Sequence, residues 1–165
     1  MILTKPGTIL LADDSEDDIV LISHAFEQGG IANPLAVVRD GEEAIAYLTG
    51  EGQYGDRALY PLPVLMLLDL KMPRTDGFQV LRWMRLQPNF IALPVIVLTN
   101  SSLMRDVTLA YQLGASSFLV KSMDFQQLVA LGRTLSTFWL PTSRMPHPST
   151  TPEPIPSGRQ STLPE

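Results

Sequence analysis

A doubly wound α/β fold is predicted, with a five-stranded parallel sheet in the order 2-1-3-4-5 and five helices. Three observations predict it. Five short runs rich in Val, Ile and Leu, near residues 8–12, 35–39, 64–68, 94–98 and 116–120, read as strands buried on both faces. A helical apolar pattern follows each of them, so βαβ units and a parallel sheet are implied. Four of the runs end in reactive polar residues: Asp13-Asp14, Asp69, Thr99 and Lys121. In open parallel sheets, ligands bind at the carboxyl ends of the strands.

After the first run, Ser15 is placed to cap a helix with Asp18 three residues on; Ile19, Ile22, Ala25 and Phe26 form its stripe and Gly29-Gly30 end it. Asp40 with Glu43 opens the second helix, and Gly50 closes it. The third carries Phe78, Leu81 and Met84 and ends before Pro88. Met104, Val107, Ala110 and Tyr111 mark the fourth, which ends at Gly114. In the fifth, Asp124 precedes Phe125, Leu128, Val129, Gly132 and Leu135, and Pro141 is expected to stop it. Five such units suit a flavodoxin-like sheet, whose switch point lies between the first and third strands, the two that end in Asp13-Asp14 and Asp69.

Residues 1–140 therefore read as one domain and 141–165 as a Pro/Ser/Thr-rich disordered tail, since 7 of the 14 prolines fall there without apolar periodicity. Residues 51–63 form a long Gly/Tyr/Pro connection, read first as a surface loop, although loops of this length also serve as partner contacts. With 45 % hydrophobic residues a real core is available. A net charge of −5 without a long Lys/Arg run argues against nucleic-acid binding and against an anionic membrane surface. The absence of Cys removes disulfides, zinc–thiolate sites and thiol nucleophiles. No apolar stretch is long enough to span a bilayer and the first residues, MILTKPGT, lack a signal-peptide pattern, so a cytoplasmic protein is expected.

Five of the six residues at 13–18 are acidic. A helix start explains Glu16, Asp17 and Asp18, where carboxylates suit the positive end of the dipole. It does not explain Asp13 and Asp14, which precede the helix. With Asp69 they make three converging carboxylates, a cluster that repels itself unless protonated or bound to a cation. Oxygen-only ligands suit Mg²⁺ rather than zinc. A carboxylate beside Mg²⁺ can act as a nucleophile towards a phosphoryl group, while Lys121 neutralises charge and Thr99 donates a hydrogen bond.

The segment LLDLKMPRTDG at 67–77 resembles the phosphoacceptor motif of the receiver domains of bacterial two-component response regulators. The resemblance covers about residues 7–140. It implies that Asp69 accepts a phosphoryl group from a phosphohistidine on a sensor histidine kinase, and that Asp13, Asp14, Asp69 and the backbone carbonyl of Lys71 hold Mg²⁺. It further implies that Thr99 is the signalling hydroxyl, Lys121 the phosphate-pairing lysine and Phe118 the switch aromatic, here without a phenolic hydroxyl. Lys71 and Ser101 match positions that flank the phosphoryl group and tune its lifetime; Lys71 either covers the site or is simply solvated. Most receivers follow the lysine with proline, whereas Ser122 stands here. A non-proline cis bond costs about 2.5–4 kcal/mol, so the site over-determines it or the bond is trans.

The Lys-Ser pair, the long loop and the ending Phe138-Trp139-Leu140 are similar to single-domain regulators that partner bacterial phytochromes. That resemblance implies a phosphorylation-linked homodimer through the face made by the fourth helix, fifth strand and fifth helix. Phe138 and Trp139 then either edge that face or close the core. The protein is expected to act as a binding switch and to catalyse only its own phosphorylation and dephosphorylation. A phosphohydrolase of the haloacid dehalogenase type needs an acid two residues after the nucleophile, where Lys71 stands. A phosphorylation-independent binding module is the remaining alternative.

Overall fold

The computed structural model describes residues 5–121 and 124–142. The strands are β1 (Thr8–Ala12), β2 (Leu35–Val38), β3 (Pro63–Leu68), β4 (Val95–Thr99) and β5 (Ser117–Val120). The helices are α1 (Glu16–Gln28), α2 (Gly41–Thr49), α3 (Gly77–Arg85), α4 (Met104–Gln112) and α5 (Phe125–Thr134). All strands run parallel, in the order β2-β1-β3-β4-β5.

The period-2 alternation of strand side chains splits the core in two. Ile9, Leu11, Leu65, Leu67, Ile96 and Leu98 meet Ile22 and Phe26 of α1 and Leu128 and Val129 of α5. Leu10, Ala12, Met66, Leu68, Val95 and Val97 meet Tyr47 of α2, Leu81 and Met84 of α3 and Ala110 of α4. Each fully buried Leu or Ile contributes about 1.5–3 kcal/mol, so this sandwich fixes the strand ends on which the polar residues sit.

The capping signals act as their chemistry requires. The Ser15 side chain accepts from the Asp18 N–H, and that of Asp40 from the Glu43 N–H. Asp76 with Gln79, and Asp124 with Gln127, form reciprocal capping boxes at α3 and α5.

Two expectations need correction. Pro141 does not stop the last helix: the chain continues through a π-helical stretch, Leu135–Trp139, into Leu140–Thr142. The Leu140 N–H reaches the Leu135 carbonyl, and this wider turn accommodates a proline that an α-turn would reject. Trp139 packs against the core here, while Phe138 is exposed. In α4 the predicted stripe is not a buried one. Only Ala110 is buried, and Met104 and Tyr111 face outward because α4 lies over the edge strand β5.

Residues 51–63 lie largely at the surface, with Tyr54 and Pro63 the buried exceptions. Tyr54, in the short 3-10 helix Gly52–Gly55, is buried against Tyr47 and Tyr60 with both ring centroids 5.1 Å away. The Arg57 guanidinium donates to the carbonyls of Tyr47 and Leu48 at 2.7 Å, satisfying the open end of α2. The Lys121–Ser122 bond, and the expected tail beyond residue 142, lie outside the described residues.

Candidate functional site

Backbone hydrogen bonds continue past the strand ends and bring the four polar endings to one edge. The Asp13 N–H donates to Val38 O at 3.0 Å, and the Asp69 N–H to Ala12 O at 2.9 Å. On the other side, the Lys121 N–H donates to Thr99 O at 2.8 Å. Asp69 is held further by α3, whose first residue is Gly77. Its N–H donates to Leu70 O, and a β-carbon there would collide with the Asp69 carbonyl. Only glycine lets the helix start this close.

Asp13, Asp14 and Asp69 each offer a carboxylate oxygen, all within 4.8 Å of one another. Asp13 and Asp69 are buried, at 1 % and 5 % exposure, and Asp14 is exposed. This set can hold a divalent cation: the donors are hard oxygens, and one member opens to water. The Lys71 N–H donates to Asp69 Oδ1 at 3.3 Å, while the Lys71 side chain is exposed.

One ammonium serves the cluster. Lys121 Nζ lies 2.7 Å from Asp13 Oδ2, 2.9 Å from Asp18 Oδ2 and 3.0 Å from Asp69 Oδ2, with its side chain only 6 % exposed. Burial alone would push the Lys121 pKa down, but hydrogen bonds to Asp13, Asp18 and Asp69 outweigh it and raise it above the lysine range. Burial raises the Asp13 pKa, against the lowering effect of the Lys121 ammonium and the Ser15 N–H.

Thr99 is fully buried, and its hydroxyl faces the Ser101 N–H at 3.5 Å. Ser101 is also buried, but its hydroxyl is engaged: it donates to the Asp106 carboxylate and lies 3.4 Å from the Leu103 N–H. This tie supplies the start of α4, whose N-cap Leu103 has no capping side chain. Phe118 is half-buried against the α2–α3–α4 core, and its N–H donates to the Tyr111 hydroxyl at 3.2 Å.

Beyond Asp69 the chain passes Arg74, which has a left-handed φ of 65°. Its guanidinium pairs with the buried Asp40 carboxylate and approaches Glu42 Oε2 at 3.8 Å. Burial works against the charged form of Asp40, yet the Arg74 guanidinium and the Glu43 N–H hold its pKa below the usual range. Gly41 sits against the Thr75 carbonyl, where a β-carbon would collide. The start of α2 is thereby strapped to the loop that follows Asp69.

Sequence reasoning brought Asp13, Asp14, Asp69, Thr99 and Lys121 to the edge where the structure has them. It missed Asp18 as a partner of Lys121, because a helix-start carboxylate already had a sufficient explanation. It placed Asp40 as the start of the second helix but missed its pairing with Arg74. The signal for this pairing was a bulky residue at a turn position before Asp76-Gly77, but the sequence does not give its φ.

The family model for the response regulator receiver domain matches residues 9–132. The response regulator Rcp1 of Synechocystis is 36 % identical over 141 residues, covering 86 % of this chain and 94 % of Rcp1. The phosphorylated cyanobacterial phytochrome response regulator RcpA superposes with a TM-score of 0.76 at 35 % identity, covering 86 % of this chain and 99 % of RcpA. RPA3017, a response regulator in red light signaling of R. palustris, superposes with a TM-score of 0.78 at 35 % identity, covering 85 % of this chain and 98 % of that one. A structure of Rcp1 in its Mn²⁺-bound form also matches, with a TM-score of 0.74 at 35 % identity over 86 % of this chain and 99 % of Rcp1.

Proposed function

Since the chain belongs to the response regulator receiver family, we propose that it accepts a phosphoryl group on Asp69 from the phosphohistidine of a sensor kinase and signals by protein–protein contact. The observation that carries this is the meeting of Asp69 with Lys121 Nζ at 3.0 Å beside the Asp13–Asp14 pair. An Asp69 carboxylate oxygen attacks phosphorus. The O–P bond forms as the P–N bond breaks, and the electron pair leaves on the imidazole nitrogen, which takes a proton from water. Lys121 and Thr99 donate to the phosphoryl oxygens. In dephosphorylation, water attacks phosphorus, the Asp69 O–P bond breaks, and orthophosphate leaves.

Asp13, Asp14, Asp69 and the Lys71 carbonyl would hold Mg²⁺, whose contribution when bound is to neutralise the phosphoryl oxygens. Lys71, exposed beside Asp69, partly covers the phosphoryl group against water. Ser101 acts with it on the lifetime, by fixing the β4–α4 loop through Asp106. Phe118 turns inward when Thr99 moves towards the phosphoryl group.

The likeness to phytochrome response regulators supports a phytochrome-type sensor kinase as donor. The exposed Met104 and Tyr111 beside the half-buried β5 support a homodimer through α4, β5 and α5, formed on phosphorylation. No helix among the described residues is long and apolar enough to cross a membrane, which fits action in the cytoplasm. The chain carries a net charge of −5, which fits protein rather than nucleic-acid contacts.

Intact-mass measurement after incubation with acetyl phosphate tests the acceptor role. One added phosphate is expected on wild type with Mg²⁺, none without it, and none on Asp69→Asn. Addition to Asp69→Asn would place the acceptor elsewhere. Sedimentation with and without the phosphoryl group tests the dimer.

A further inference from the structure

We propose that Asp18 is a positioning residue for Lys121, the anchor that keeps the ammonium at the strand ends when Asp13 and Asp69 turn to metal and phosphoryl group. The proposal rests on the reading of Asp69 as acceptor.

A lysine ammonium has three N–H donors, and here its carboxylate partners are Asp13, Asp18 and Asp69, all within 3.0 Å. Two of these have other work. Asp13 is a proposed metal ligand, and one oxygen of Asp69 becomes the acyl phosphate. Asp18 is the partner that neither step consumes.

Its freedom to serve Lys121 comes from local structure. As the third residue of α1 after the cap, an acidic residue would ordinarily reach back to the cap's own N–H. That N–H belongs to Ser15 and donates instead to Asp13 Oδ1 at 2.9 Å. The Asp18 carboxylate is therefore released towards Lys121, across 103 residues of sequence. The Asp18 N–H still donates to Ser15 Oγ, which fixes the first turn. With its side chain 30 % exposed against 1 % for Asp13, Asp18 reaches Lys121 from the open rim of the cluster, while Asp13 approaches from the buried strand end.

Two readouts test this. The first is the rate of phosphorylation by acetyl phosphate at saturating Mg²⁺. Asp18→Ala is expected to slow it about ten-fold, the scale for losing a residue that orients a site group, with a much smaller change in Mg²⁺ half-saturation. Asp18→Asn keeps an acceptor oxygen and should recover most of the rate. In a Lys121→Gln background, Asp18→Ala should cause no further loss. Wild-type rates in Asp18→Ala, or the same loss in both backgrounds, would overturn the assignment. The second readout needs no phosphorylation: the ¹H–¹⁵N ammonium resonance of Lys121 with saturating Mg²⁺. It should be visible in wild type and Asp18→Asn and lost to exchange in Asp18→Ala. Its persistence in Asp18→Ala overturns the anchor. If it follows Asp18 as predicted while wild type takes up no phosphate, the anchor stands and the acceptor reading of Asp69 falls.

Discussion

Lys121 and Arg74 each pair with a buried carboxylate, and the fold treats the two cations in opposite ways. On the α1 side, Lys121 is 6 % exposed and answers three carboxylates, with Asp14 a fourth nearby. On the α2 side, Arg74 is 62 % exposed and answers Asp40, with Glu42 farther off. The first arrangement has more negative charge than it can neutralise, with Asp13 and Asp69 shielded from water and Asp14 open to it. Such a site is poised to gain from added positive charge. The second is a strap: its guanidinium is solvated, its buried carboxylate is already used to cap α2, and it holds a loop rather than a ligand. The same ion-pair chemistry thus leaves a cluster open to a further cation when buried and unbalanced, and makes a structural tie when screened and satisfied.

Removing each cation should break the comparison most sharply. Lys121→Ala strands buried carboxylates and is expected to cost about 3–5 kcal/mol of stability without divalent metal, much of it restored by millimolar Mg²⁺; urea unfolding with and without Mg²⁺ checks this. Next, Asp14→Ala is expected to weaken Mg²⁺ binding while raising the metal-free melting temperature, because it relieves repulsion at an exposed position. Calorimetry and thermal melts read both signs.

The pH response separates the two sides again. The folded pKa of Asp13 lies above its unfolded value of 3.8, so between the two values the folded state binds more protons. Stability from this group therefore falls as pH rises through that window. Asp40 has the opposite sign, since its folded pKa is depressed: its contribution is present above the ordinary carboxyl value and lost as pH falls through the folded one. Without metal, Asp13→Asn should gain most over wild type at neutral pH and lose that gain near pH 4, whereas Asp40→Asn should lose most at neutral pH. The smallest effect is expected for Arg74: at a φ of 65°, Arg74→Gly should lose less stability than Arg74→Ala, and both losses should shrink in high salt.

How legible each side was follows from how its signal is written. β1, β3 and β4 are buried on both faces and appear in sequence as unbroken apolar runs, so their ends, and Asp13, Asp69 and Thr99 with them, could be placed. The Arg74 strap is a matter of backbone φ and of two loops meeting, neither of which has a period. Tyr54 and Arg57 were hidden for a related reason: a Gly/Tyr/Pro connection has no stripe, although it buries a ring and caps a helix. In α4 the spacing was correct but the burial was not, because an edge position leaves Met104 and Tyr111 without a covering layer. Pro141 was read by its α-helical penalty, which the π turn at 135–139 avoids.

The most direct test of the central claim is a crystal structure grown with Mg²⁺ and beryllofluoride, a phosphoryl mimic. The account predicts beryllium bonded to an Asp69 carboxylate oxygen, with Lys121 Nζ and Thr99 Oγ1 each donating to a fluoride. An Asp69 left unmodified, with Lys121 still shared among Asp13, Asp18 and Asp69, would contradict it.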